Sequence, residues 1–310
     1  MPEIVITEFM DDAAVAELAA DFDVLYDAGL ADRPEALGDL AADARGLIVR
    51  NRTQVRGALL ESCRRLEVVG RLGVGLDNID VEACRARGIA VCPATGANDL
   101  AVAEYVIAGV LMLLRGAYGA SAAVAAGEWP RGRLIGGEIA GRRLGLIGFG
   151  GIARETAKRA TALGMIVLAH DPYVADDDPA WQELGVARAA LEPLLASCDA
   201  ISLHVPLDAT TRHLIDATAL RRMREDAVLI NAARGGVVDE QALADALRGG
   251  RLAGAMLDVF ETEPLPAGSA LAGVPNLILT PHIAGVTLES NVRVSARVAA
   301  DVRAILQPSA

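Results

Sequence analysis

A chain of 310 residues, 53% hydrophobic and 23% charged, has apolar material for about two globular domains and is neither disordered nor collagen-like. Aromatic residues make up only 3%, and 41 acidic against 29 basic residues leave a net charge of −12. Such a surface repels phosphate backbones and offers few stacking faces, which argues against general nucleic-acid binding. The basic residues are Arg with the single exception of Lys158, so a Schiff-base mechanism would have to use a lysine that reads as a solvated helix position.

Short β-branched runs alternate with Ala/Leu-rich stretches of helical spacing. In chain order the pattern predicts a strand over 4–7, a helix over 12–20, a strand over 23–26 and a helix over 34–42. A strand over 46–50, a helix over 56–62, a strand over 66–70, a helix over 81–87 and a strand over 89–92 follow. The rhythm pauses at an apolar helix over 97–114 and a short helix near 121–127. It resumes with strands over 144–147, 166–170, 200–205, 227–232, 254–259 and 277–280, and closes with a helix over 288–305. The expected fold class is α/β, with two Rossmann-like parallel-sheet domains, one inserted into the other. Residues 1–98 with 287–310 form the first domain and residues 99–286 the second. The acidic turn Asp176-Asp177-Asp178-Pro179 reads as merely solvated.

The longest apolar run, Val106–Leu114, is too short to span a bilayer, and Met1-Pro2-Glu3-Ile4 lacks the basic and apolar regions of a signal peptide. Cys63, Cys84, Cys92 and Cys198 form no C-x-x-C pair and no metal spacing with histidine. Free thiols in a reducing cytoplasm, no metal and no membrane are the expectations.

Gly148-Phe149-Gly150-Gly151-Ile152-Ala153 fits G-x-G-x-x-G/A, and its context gives it weight: it follows an apolar strand and opens a helix. Gly148 permits the tight turn, Gly150 lets the backbone approach a pyrophosphate, and Ala153 allows close helix–strand packing, while the helix N-terminus favours the anion. The next strand ends at His170-Asp171-Pro172, and Asp171 lies 23 residues beyond Gly148, near the spacing of an acid that binds ribose hydroxyls. A carboxylate there favours NAD over NADP; the plainer reading is a turn cap before Pro172.

Three charged residues stand at the ends of later strands: Arg234 after Asn231-Ala232-Ala233, Glu263 before Pro264, and His282 after Thr280-Pro281. Reduction of a keto acid needs these types. A guanidinium can hold a carboxylate and polarise a carbonyl, an imidazolium can donate a proton, and a carboxylate can orient the imidazole. Taken singly, each also reads as a turn, loop or packing residue.

At these residues the chain resembles the D-isomer-specific 2-hydroxyacid dehydrogenases, over nearly its whole length. The matching segments are Val74–Asp80 (VGLDNID), the glycine loop, Asn231–Glu240 (NAARGGVVDE), Leu257–Pro266 (LDVFETEPLP) and Thr280–Thr287 (TPHIAGVT). The resemblance implies a substrate domain at both termini around an NAD-binding domain, and a homodimer or homotetramer. It makes Arg234 the substrate-orienting residue, Glu263 rather than Glu261 the carboxylate that tunes the histidine, and His282 the acid/base. Asp258 then contacts the nicotinamide amide. Gly148, Phe149, Gly150, Gly151, Ile152, Asp171, His204, Val205, Pro206, Thr211, Ala232, Arg234, His282 and Gly285 complete the implied cofactor-lining set. Val74 and Gly75 offer backbone amides to the substrate carboxylate, and Asn98 falls in the implied substrate-side loop. Formate is disfavoured, because formate dehydrogenases of the superfamily carry Gln where Glu263 stands. NAD-binding corepressors share the architecture and are the non-enzyme alternative, set aside because such regulators are expected to carry long flanking extensions.

Arg50 with Asn51, Arg71 and Arg131 lie in segments resembling anion-contacting parts of the 3-phosphoglycerate dehydrogenase branch. Their convergence would fit a substrate with a second negative group, either 3-phosphoglycerate or a sulfonate. The bland reading is that Arg is abundant. No C-terminal regulatory extension like that of longer phosphoglycerate dehydrogenases is expected. The start ITEFMD together with VRNRTQV looks closest to sulfolactate dehydrogenases, and hydroxypyruvate or glyoxylate reduction stays open as the alternative.

Overall fold

Five short strands, β1 (Ile4–Ile6), β2 (Val24–Tyr26), β3 (Gly46–Val49), β4 (Val68–Arg71) and β5 (Ala90–Pro93), form an all-parallel sheet in the order β2-β1-β3-β4-β5. The computed structural model describes residues 1–307. This sheet belongs to a unit made of Met1–Asn98 and the chain from Val286 onward. The order is the flavodoxin-like one, whose switch point lies between β1 and β3, at their C-terminal ends.

On one face Ile4, Ile6, Ile48 and Val68 pack with Val294, Val298, Val302 and Leu306 of the helix Leu288–Leu306. Fully burying aliphatic side chains of this size is worth roughly 1.5–3 kcal/mol each. A Cβ on Gly70 would stand 2.6 Å from Val298 and 2.9 Å from Val302, so only glycine lets the helix lie this close to β4. The helix starts cleanly because Thr287 and Ser290 form a capping box.

The second unit, Asp99–Gly285, carries β6 (Arg143–Ile147), β7 (Ile166–His170), β8 (Ala187–Arg188), β9 (Ala200–Leu203), β10 (Val228–Asn231), β11 (Gly254–Leu257) and β12 (Leu277–Leu279). All are parallel, in the order β12-β11-β10-β9-β6-β7-β8, which is the dinucleotide-binding order with one added strand. Here the switch point falls between β6 and β9. The helices Asp99–Arg115 and Gly151–Ala162 cover one face, with Val106, Val110, Ala153 and Ala157 in the core. The long apolar helix is therefore core material. Among the described residues no single helix is long and apolar enough to cross a membrane.

Where the sequence gives a range, strand and helix bounds fall within two residues of it; elsewhere the structure adds short elements and a correction. The two-residue β8 and the helix Ala180–Glu183 were not anticipated, being too short to show a period. The acidic turn is not merely solvated. Asp178 Oδ2 accepts Arg154 Nη2 at 2.9 Å, its Oδ1 accepts the Ala180 amide at 2.9 Å, and Asp176 pairs with Arg188.

Candidate active site

The glycine loop sits at the switch point of the larger sheet. Gly148 has φ +93°, and a Cβ there would lie 2.6 Å from the His204 carbonyl at the end of β9, so glycine is required twice over. Gly150 caps the helix Gly151–Ala162 and faces open space. A Cβ on Gly151 would strike the Asp99 carboxylate. Ala153 is fully buried against the sheet. Gly150 therefore leaves the backbone at the helix N-terminus open to close approach, the kind of place where a pyrophosphate binds.

Asp171 caps its turn and also bonds the glycine loop. Its Oδ2 accepts the Phe149 amide at 2.8 Å, which ties it to the glycine loop. Its Oδ1 accepts the Tyr173 amide at 2.9 Å, the turn cap. Each oxygen keeps a lone pair for a hydroxyl. Phe149 is buried and stacks on Trp181, with ring centroids 4.2 Å apart. Thr211 donates to the Pro206 carbonyl at 2.7 Å and so closes the 206–211 loop. Burial pushes the His204 imidazole down to about 4, and its Nε2 is buried without a hydrogen-bond partner.

At the opposite end of the strand row, His282 Nδ1 lies 2.7 Å from Glu263 Oε2. The Phe260 amide donates to the other oxygen, Oε1, at 3.0 Å. Burial raises the Glu263 carboxyl, but the His282 and Phe260 bonds and the charges of His282 and Arg234 outweigh it and hold the group below its ordinary value. Glu263 is thus an anion, Nδ1 of His282 carries the hydrogen, and Nε2 is left for a ligand. The turn bearing Arg234 is fixed by Asn231, whose side chain accepts from the Ala233 amide at 3.1 Å and donates to the Arg234 carbonyl at 3.0 Å. Gly235 approaches the Phe260 carbonyl so closely that a Cβ would not fit, and Glu240 Oε1 accepts the Glu261 amide at 2.7 Å. These contacts clamp the Arg234 turn to the Glu263 loop. Glu261 itself faces a different histidine, His213, at 3.1 Å.

Asp258 is buried and already engaged. Its Oδ1 accepts the Thr280 hydroxyl at 2.6 Å and the Ile283 amide at 2.8 Å, and its Oδ2 accepts the Ala284 amide at 2.7 Å. Its main role in the fold is to shape the segment that carries His282.

In the first unit, Arg50 and Asn51 lie on the loop after β3, at the switch point of the smaller sheet. Glu8, 4% exposed and just beyond β1, holds this loop: Oε1 accepts the amides of Arg50 (2.9 Å) and Thr53 (3.0 Å), and Oε2 those of Asn51 (3.3 Å) and Arg52 (3.1 Å). Burial raises the Glu8 carboxyl, yet these bonds bring it below its usual value. The Arg50 guanidinium is half-buried, bonds Asn291 Oδ1 at 2.8 Å and sits 5.9 Å from the Phe9 ring centre. Glu8 escaped the sequence reading; the only signal was a carboxylate placed directly after an apolar strand. Arg71 donates to the Leu72 carbonyl at 2.8 Å. No hydrogen-bond acceptor meets the Val74 and Gly75 amides among the described residues. Asn98 Oδ1 is buried without a partner. Arg131 is exposed and belongs to the second unit.

Residues 107–284 match the family described as D-isomer specific 2-hydroxyacid dehydrogenase, NAD binding domain. The chain is 59% identical over 295 residues to the (S)-sulfolactate dehydrogenase of Chromohalobacter salexigens, covering 95% of each. It is 40% identical over 256 residues to the D-3-phosphoglycerate dehydrogenase of Archaeoglobus fulgidus, covering 83% of this chain and 48% of the other, so it spans about half that relative's length. The crystal structure of D-lactate dehydrogenase from Aquifex aeolicus, complexed with NAD and lactic acid, superposes with a TM-score of 0.86 at 29% identity, over 98% of this chain and 95% of that one.

Proposed function

The chain belongs to the D-isomer-specific 2-hydroxyacid dehydrogenases, and from that premise we propose that it interconverts sulfolactate and sulfopyruvate with NAD(H). The observation that carries the substrate is the 59% identity to a sulfolactate dehydrogenase over 95% of both chains. The S label of that relative's substrate is compatible with a D-specific family, because the sulfomethyl group outranks the carboxylate in naming priority.

When bound, the nicotinamide supplies or accepts the hydride at C2. The chain's own residues do the rest. Gly148, Phe149, Gly150, Gly151 and Ile152 hold the pyrophosphate at the helix N-terminus, and Asp171 takes the ribose hydroxyls. His204, Val205, Pro206, Thr211, Ala232, Asp258 and Gly285 line the cofactor. Arg234, the backbone amides of Val74 and Gly75, and Asn98 are the candidates for holding the substrate carboxylate. His282 gives a proton from Nε2 to the oxygen formed at C2 during reduction and takes it back during oxidation, while Glu263 fixes the ring through Nδ1. Arg50, Asn51, Arg71 and Arg131 are the candidate contacts for the second anionic group, and abundance of Arg is the alternative account of them. The four free cysteines support a reducing, cytoplasmic setting. The exposed apolar side chains of Tyr118, Val124, Trp129 and Ile135 support a second copy of the chain as partner.

The test is NADH oxidation with sulfopyruvate, 3-phosphohydroxypyruvate, hydroxypyruvate, glyoxylate and pyruvate, for the wild type and Arg71→Ala. The proposal expects sulfopyruvate to lead in kcat/KM and to lose that lead in the variant. A lead by hydroxypyruvate or glyoxylate, unchanged in Arg71→Ala, would make this a general short-chain keto-acid reductase.

A further inference from the structure

His282 has φ +56°, a left-handed conformation that is uncommon outside glycine, although His and Asn tolerate it better than most residues. Its surroundings are a polar chain. The segment 280–284 wraps around Asp258, which is 1% exposed. Thr280 Oγ1 and the amides of Ile283 and Ala284 all donate to its carboxylate, and the His282 amide donates to its carbonyl at 2.8 Å.

Thr280 Oγ1 also lies 2.6 Å from the hydroxyl of Tyr105. The direction of this chain follows from counting hydrogens. A carboxylate facing three donors only accepts, so Thr280 gives its one hydrogen to Asp258. Tyr105 must then donate to Thr280. Burial, with a smaller contribution from the Asp258 charge, pushes the phenol up to about 12 against the Thr280 bond, so it keeps its hydrogen. Tyr105 stands on the helix Asp99–Arg115, among Val102, Val106 and Val110, which are purely apolar core. Packing alone asks for no hydroxyl at that position.

We propose that Tyr105 is a positioning residue for catalysis: acting through Thr280 and Asp258, it locks the 280–284 segment and so fixes the direction in which His282 presents Nε2. The inference rests on His282 being the acid/base.

Tyr105→Phe keeps the ring and removes one hydrogen bond, which corresponds to a loss of about tenfold in kcat for keto-acid reduction. KM for the keto acid and the Kd of NADH, read by fluorescence titration, stay within about twofold. Thr280→Ser retains the hydroxyl and should keep wild-type kcat, whereas Thr280→Val should lose at least as much as Tyr105→Phe. The double variant Tyr105→Phe/Thr280→Val should be no slower than Thr280→Val alone, because one chain has been cut twice. Wild-type kcat in Tyr105→Phe, beside a His282→Asn variant that is inactive, overturns the proposal alone. Full additivity of the two losses, or a matching loss of NADH affinity, also overturns it. Wild-type kcat in His282→Asn overturns the acid–base assignment and the proposal with it.

Discussion

Replacing Glu8 with Gln should unlock the loop that carries Arg50 and Asn51. In the native protein each carboxylate oxygen takes two backbone amides, Arg50 and Thr53 on one, Asn51 and Arg52 on the other. Glutamine can present an oxygen to only one of these pairs. Its NH2 group meets the other pair donor to donor. Two amides lose their acceptor; Thr53 is buried while Arg50, Asn51 and Arg52 are reached by water, so the loss is about 0.5–1.5 kcal/mol each, or roughly 1–3 kcal/mol together. Hydrogen exchange of a peptide covering 47–54 reads this directly: two of the four amides should exchange at least about fivefold faster. The KM for a doubly anionic keto acid should rise, while NADH affinity in the other unit is unchanged. Unaltered protection of all four amides would refute the view that this carboxylate organises the loop. The same logic fixes a pH dependence. The Glu8 carboxyl is lowered from its ordinary 4.5, so its contribution is complete above that value and disappears as pH falls through the lower folded value. The loop should therefore loosen only in acid below the ordinary carboxylate range.

His282→Asn and Glu263→Gln should cut kcat by about 10²–10⁴-fold while the Kd of NADH stays near wild type, and an equal loss of both quantities would count against the acid–base role. Asp171→Asn should weaken the preference for NADH over NADPH in competing turnover assays; an unchanged ratio would reduce Asp171 to its bonds with the Phe149 and Tyr173 amides. Trp129→Ser combined with Ile135→Ser, at side chains 76% and 85% exposed, should lower the sedimentation coefficient if a second copy covers them, and an unaltered value removes that face from the assembly.

Much of the fold was legible because its strands are short apolar, β-branched runs, several of which stop at Gly, Asp or Pro, so β7 could be bounded to the residue. β8 was not legible, since two residues cannot display alternation. At the site, the pairing of Glu263 rather than Glu261 with His282 followed from the motif, and the structure gives Glu261 to His213 instead. Glu8 and Tyr105 were hidden for opposite reasons. A glutamate normally stays in water, and only a ring of backbone donors, invisible in sequence, makes its burial possible. A tyrosine in an apolar helix reads as core until the partner of its hydroxyl, 175 residues away, is in place.

The helix Leu288–Leu306 completes one wall of the core that β1 and β4 begin. During synthesis from the N-terminus, the first strands emerge long before that wall exists, whereas Asp99–Gly285 is continuous and can fold as soon as it is made. The unit that starts first therefore finishes last. In the interval Ile4, Ile6 and Val68 lack the cover that Val298 and Val302 later give them, so this nascent face is the one most exposed to aggregation before release.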